Sequence, residues 1–135
     1  MLHFVAPPGF ILDLRSPVDA ASQRVLKAMG FERSFGVITA QNPMGANQSS
    51  DANAALAASL RMNVARLSVP KLEVDACSPD RAHCERSVAI ALDLAALVDL
   101  GYRYDQLAIF WYDGRSFWIV PAHATLAKLR LPRRR

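Results

Sequence analysis

The chain has 135 residues, 52% of them hydrophobic and 21% charged, which fits one globular domain spanning 1–135 and excludes a disordered chain. Its net charge of +4 is concentrated at one end: Lys128, Arg130, Arg133, Arg134 and Arg135 lie in the last eight residues, so taking these five away leaves −1 before them. No apolar run approaches the roughly 20 residues of a membrane span, which excludes a helical membrane protein.

Met1-Leu2-His3-Phe4-Val5-Ala6-Pro7-Pro8 has neither a basic start nor a long apolar segment, so no signal peptide is expected and the cytoplasm is the expected location. Pro7-Pro8-Gly9 predicts an irregular entry, and Phe10 to Leu14 a short strand. Ser16-Pro17-Val18-Asp19 predicts a helix start, with Ser16 as cap and Pro17 at the first helical position. Val18, Ala21, Val25, Leu26 and Met29 then recur at helical spacing, and Gly30 is the expected stop.

Phe35 to Gln41 reads as a strand that ends in Asn42-Pro43, a dipeptide that turns the chain and cannot continue a ladder. Residues 44–50 read as a loop, and Ser49 or Ser50 as the cap of a second, alanine-rich helix from Ala52 to Met62. Leu56 and Leu60 form its apolar stripe, and its many alanines suit close packing on a sheet. Val64 to Val74 alternates but contains Pro70, which predicts a strand that is bent or at a sheet edge.

Cys77 and Cys84 flank a polar loop; a reducing compartment predicts two free thiols there. Read as metal donors with His83 they supply three ligands at most, two of them adjacent, so no metal is expected. Glu85 to Leu92 reads as a strand with Val88, Ile90 and Leu92 on one face and Glu85, Ser87, Ala89 and Ala91 on the other. Asp93 caps a third helix, 94–100, with Gly101 as its stop. Gln106 to Tyr112 and Ser116 to Val120 flank Asp113-Gly114, the strongest hairpin signal in the chain. Ala122 to Leu129 reads as a last short helix, and 128–135 as a solvated, mobile basic tail.

This order contains a β-α-β-β-α-β unit, the split βαβ of ferredoxin-like folds. The expected architecture is α+β: a two-layer sandwich, a mainly antiparallel sheet with helices on one face, plus an N-terminal helix and a C-terminal hairpin.

Four segments together resemble a bacterial family known as domain of unknown function 3293. They are Ile38-Thr39-Ala40-Gln41-Asn42-Pro43, Ser50-Asp51-Ala52-Asn53 opening a helix, Glu85-Arg86-Ser87, and Gln106-Leu107-Ala108-Ile109-Phe110. The resemblance covers roughly Phe35 to Val120. It implies a compact cytoplasmic bacterial domain and brings no reaction with it.

The candidate ligand-binding residues are Thr39, Asn42, Glu85, Ser87 and Gln106, polar groups at strand ends that a ferredoxin-like order gathers near the sheet. Each also has a structural explanation: Asn42 as the turn former, Thr39 as a satisfied strand hydroxyl, Glu85 as half of a salt bridge with Arg81 or Arg103, Gln106 as a loop tie. Trp111, Tyr112, Phe117 and Trp118 suit cross-strand pairing in the hairpin, with a homodimer interface as their other use. No nucleophile elbow, P-loop or dinucleotide fingerprint occurs, and no cofactor is expected.

The function expected first is a module that binds a small polar ligand or a protein partner. The second is a small enzyme using Glu85 with His83 in acid–base chemistry. The third, not favoured, is a nucleic-acid accessory protein using Arg130, Arg133, Arg134 and Arg135.

Overall fold

A computed structural model describes residues 1–5, 9–122 and, for the backbone, 129–131. In chain order the elements are β1 (Leu2–Phe4), β2 (Ile11–Leu12), α1 (Ala20–Ala28), β3 (Phe35–Thr39), α2 (Ser50–Ala65), β4 (Lys71–Cys77), β5 (Cys84–Ile90), α3 (Leu94–Arg103), β6 (Ala108–Tyr112), β7 (Phe117–Pro121) and β8 (Leu129–Leu131). Among the described residues the eight strands join in one sheet of order β2-β1-β4-β5-β3-β6-β7-β8, antiparallel at every pairing. The fold is therefore mixed α+β, as expected.

The sheet is covered on both faces. Leu60 and Val64 of α2 and Leu97 of α3 pack with Ile38, Val88, Ile90, Ile109 and Val120. On the opposite face Leu26 of α1 packs with Leu2, Phe31, Phe35, Val37, Val74, Ala89, Tyr112 and Phe117. This corrects the expectation of helices on one face of a two-layer sandwich. The physical reason lies in β3: Val37 and Ile38 are consecutive and so point to opposite faces, and both are buried. A strand apolar on both sides needs cover on both.

Two helix starts follow from their caps. The Ser49 hydroxyl accepts the Ala52 N–H at 3.1 Å and Asp93 accepts that of Ala96 at 2.8 Å. The first helix starts later than expected. Asp19, not Ser16, is its cap, accepting the Ser22 N–H at 2.7 Å, because a carboxylate is favoured at the positive helix end. Ser16 instead closes a turn, its N–H donating to the Asp13 carbonyl at 3.1 Å.

Three other expectations change. Helix α2 runs on to Ala65, burying Val64, so the strand expected from Val64 begins only at Lys71. β4 is not an edge strand: Pro70 precedes it, where no ladder N–H is needed, and β4 pairs with both β1 and β5. Gly101 lies inside α3 rather than ending it; a Cβ there would come within 2.9 Å of Ile109 Cγ2, so glycine permits close approach of helix and sheet.

Ahead of the Pro7-Pro8-Gly9 entry the chain forms β1, for which no element was expected, with Leu2 and Phe4 buried and the Met1 ammonium donating to the Cys77 carbonyl at 2.8 Å. The hairpin forms as expected: Trp111 faces Trp118, Tyr112 faces Phe117, and Asp113 Oδ1 accepts the N–H groups of Arg115 and Ser116 at 2.8 Å each. The helix expected from Ala122 falls largely on residues outside those described, but its last residue, Leu129, lies in β8 against β7.

Candidate functional site

The site begins where β3 stops. Thr39 lies opposite Ser87 of β5; its hydroxyl donates to the Arg86 carbonyl at 2.9 Å and accepts the Gln41 N–H at 3.1 Å. Asn42 then takes up left-handed backbone angles, φ 49° and ψ 60°. That is unusual for a residue before proline, which is normally held extended. The conformation is fixed by four hydrogen bonds. Asn42 N–H donates to Asn53 Oδ1 at 2.9 Å, Asn53 Nδ2 and the Gln48 N–H donate to Asn42 Oδ1 at 3.0 Å each, and Asn42 Nδ2 donates to Glu85 Oε2 at 3.3 Å. Met44 and Asp105 also have positive φ, 56° and 53°, and the Met44 N–H donates to the Asp105 carbonyl at 2.6 Å. Strain of this kind persists only where the surroundings over-determine it.

Four of the five candidates thus meet through this strand end. Ser87 is buried, its hydroxyl donating to the Glu85 carbonyl at 3.0 Å. Gln106 is buried too, and stands slightly apart: its amide donates to the carbonyls of Gln41 at 3.1 Å and Tyr104 at 3.2 Å, tying the 41–45 segment to the end of α3. Glu85 is half-buried, and loss of hydration pushes its carboxyl above the ordinary value, partly opposed by the Asn42 amide. No ion pair joins it to Arg81 or Arg103 among the described residues; Arg103 instead pairs with Asp99 at 2.8 Å.

The larger opening nearby is lined by other residues. A cavity of about 550 Å³ lies between α2 and β5, bounded by Gln41, Ser50 and Asn53 at one end, Ala54, Ala57 and Ala58 on the helix, and Arg61, Cys84 and Arg86. Residues 54, 57, 58 and 61 share one helix face. Arg61 donates to Glu73 at 3.1 Å, and Arg86 lies 3.9 Å from Asp75. Sequence reasoning missed Arg61 and Arg86. The signal was available in the alternation of β5, which puts Arg86 on the face opposite Glu85, toward the alanine stripe.

Glu85 opens the other way. With His83, Cys77 and Phe110 it lines a cleft of about 240 Å³ on the α1 side of the sheet. His83 is exposed on the 78–83 turn.

Cys77 and Cys84 form a disulfide, correcting the expectation of free thiols. They are the last cross-strand pair of the β4–β5 hairpin, with Cα atoms 4.1 Å apart. The Ser78 N–H donates to the His83 carbonyl just beyond them, so strand pairing alone brings the sulfurs together. Trp111 and Trp118 are half-buried against the α2–α3 core, and Tyr112 and Phe117 are buried on the α1 side. Arg130 lies in β8, whereas Arg133, Arg134 and Arg135 fall outside the described residues. Among the described residues no group of three or more metal-ligating side chains is assembled, and no helix is long and apolar enough to cross a membrane.

An antiparallel sheet with a polar cavity under one helix defines a small α+β domain built around a strand-end polar network. Residues 38–109, just over half of the chain, match a family described as Protein of unknown function (DUF3293), and the chain belongs to that family. The match runs from β3 to β6 and contains Asn42, Asn53, Arg61, Glu85, Arg86 and Gln106. No curated protein and no solved structure matches the chain.

Proposed function

We propose that this protein is a ligand-binding module whose site is the cavity between α2 and β5. The observation that carries the reading is the cavity itself: about 550 Å³, in the size range of small-molecule sites, with polar side chains around an alanine floor. The residues expected to touch a ligand act one step back. Asn42, Thr39 and Gln106 hold Gln41 and Asn53 in place, and those two reach the cavity. A fragment library followed by amide NMR tests this. Binders should shift Gln41, Asn53 and Cys84 and lose their effect in Ala54→Trp, which fills the cavity from an exposed position. Binders that leave those three amides unmoved would sink the reading.

A second reading, acid–base catalysis by Glu85 with His83, is favoured by their shared cleft and by the raised carboxyl pKa of Glu85. It requires turnover that Glu85→Gln and His83→Ala both abolish.

The central strand order β4-β5-β3-β6, with α2 and α3 as the connections, supports a ferredoxin-like reading of the core. The Cys77–Cys84 bond favours an oxidising location over the expected cytoplasm, where thiols are kept reduced.

A further inference from the structure

We infer that the cavity between α2 and β5 takes a small organic oxyanion, a carboxylate or phosphate monoester on a short aliphatic body. This rests on the reading of that cavity as the binding site. The only charged side chains in its lining, among the described residues, are Arg61 and Arg86; no carboxylate lines it. They approach from opposite walls, one from the helix and one from the strand.

Both guanidiniums are incompletely used. Arg61 spends one N–H on Glu73 Oε1 at 3.1 Å. Arg86 Nε is 3.9 Å from Asp75 Oδ1, beyond hydrogen-bond reach, and its guanidinium makes no hydrogen bond among the described residues. A guanidinium offers five N–H donors in a planar fork suited to carboxylate and phosphate oxygens. Glu73 and Asp75 neighbour these arginines and offset part of their charge, so the site suits one anionic head rather than a polyanion.

The rest of the lining sets the body of the ligand. Ala54, Ala57 and Ala58 give a shallow apolar floor, and no aromatic ring lines the cavity among the described residues. A nucleobase would have nothing to stack on. At the far end Asn53 uses its Oδ1 and one N–H on Asn42, leaving the second N–H for a polar ligand atom.

The test is an amide NMR titration of the whole protein with four probes of one body: butyrate, butyl phosphate, 1-butanol and butylamine. The inference expects saturable shifts at Gln41, Asn53, Cys84 and Arg86 with an anion, and at least tenfold weaker binding of the alcohol and the amine. The stronger of the two anions identifies the head group. Arg86→Gln and Arg61→Gln should each weaken the anion about tenfold, the scale of one charge-assisted hydrogen bond, and leave 1-butanol unchanged. Both arginines are more than half exposed, so the variants should keep the wild-type amide spectrum, which checks folding. Alcohol or amine binding that matches the anions overturns the oxyanion but keeps the cavity as a site. Unchanged anion affinity in both variants does the same. If these probes and the fragment library all leave the cavity amides unmoved, the cavity reading itself fails.

Discussion

Asn53 grips Asn42 by both ends of one amide: its Oδ1 takes the Asn42 backbone N–H at 2.9 Å and its Nδ2 gives to Asn42 Oδ1 at 3.0 Å. The start of α2 is thereby fastened to the left-handed residue that ends β3. Removing one partner leaves part-buried groups of the other unpaired, so Asn53→Ala should cost about 1–3 kcal/mol. The pair acts as a unit, and a double-mutant cycle with Asn42→Ala should show coupling of about 0.5–3 kcal/mol. Urea denaturation of the four proteins measures it; additive losses would mean the two contacts are independent of each other.

Glycine at position 42 separates the two roles of Asn42. It accepts positive φ without steric cost, whereas alanine does not. Asn42→Gly should therefore retain about 1 kcal/mol more stability than Asn42→Ala, although both lose the same side-chain bonds. Equal denaturation midpoints would show that backbone strain at φ 49° contributes nothing.

Glu85 should give the protein a pH-dependent stability. Burial raises its folded pKa above the ordinary 4.5, so the folded state holds this proton more tightly than the unfolded state. Its contribution is fully present below the unfolded value and is lost as pH rises through the folded one. Glu85→Gln, whose amide oxygen can still accept from Asn42, should flatten that part of the profile. It should match or exceed wild-type stability near neutral pH. Thermal melts across this range decide it, and a profile as steep as wild type in the variant would mean another group is responsible.

The disulfide closes a loop with a sequence separation of 7. Loop-closure entropy for that length gives about 2.5 kcal/mol. Dithiothreitol should lower the unfolding free energy of the wild type, read from urea denaturation curves, by this amount and leave Cys77→Ala/Cys84→Ala unaffected. The reduced protein should stay folded, because the β4–β5 ladder and the Ser78–His83 bond do not depend on the sulfurs. Unfolding on reduction alone would contradict this.

Gly36 of β3 packs against Leu97 of α3. A Cβ there would stand 2.6 Å from Leu97 Cδ1 and 3.2 Å from its Cγ, and Leu97 is fully buried with nowhere to turn. Gly36→Ala should cost about 1–3 kcal/mol by overpacking. Leu97→Ala in the same chain should recover part of that loss, read by the same denaturation curves.

Local chemistry was legible where one residue type dictates one geometry. Ser49 and Asp93 cap helices, and Asp113-Gly114 turns a hairpin, because each needs only its own neighbours. The convergence of Thr39, Asn42, Glu85 and Ser87 was legible from strand order. What lay on the far side of each strand was not. Arg61 and Arg86 line one cavity because α2 crosses β5; the alternation of β5 gives the face of Arg86, but nothing along the chain says which helix covers that face. A reducing compartment predicts free thiols at Cys77 and Cys84, whereas the register of their hairpin places them as a cross-strand pair and bonds them. β1 was missed because it is three residues long and finds its partner, β4, some seventy residues away.

β5 carries Glu85 toward one cleft and Arg86 toward the opposite cavity, one residue apart. Side chains alternate strictly along a strand, so a single-residue insertion or deletion between Cys84 and Val88 would exchange them, putting a carboxylate under α2 and a guanidinium beside His83. Among relatives, length changes should therefore gather in the 78–83 turn and avoid the strand. Any relative that did shift there would hold two sites of reversed polarity on an unchanged scaffold.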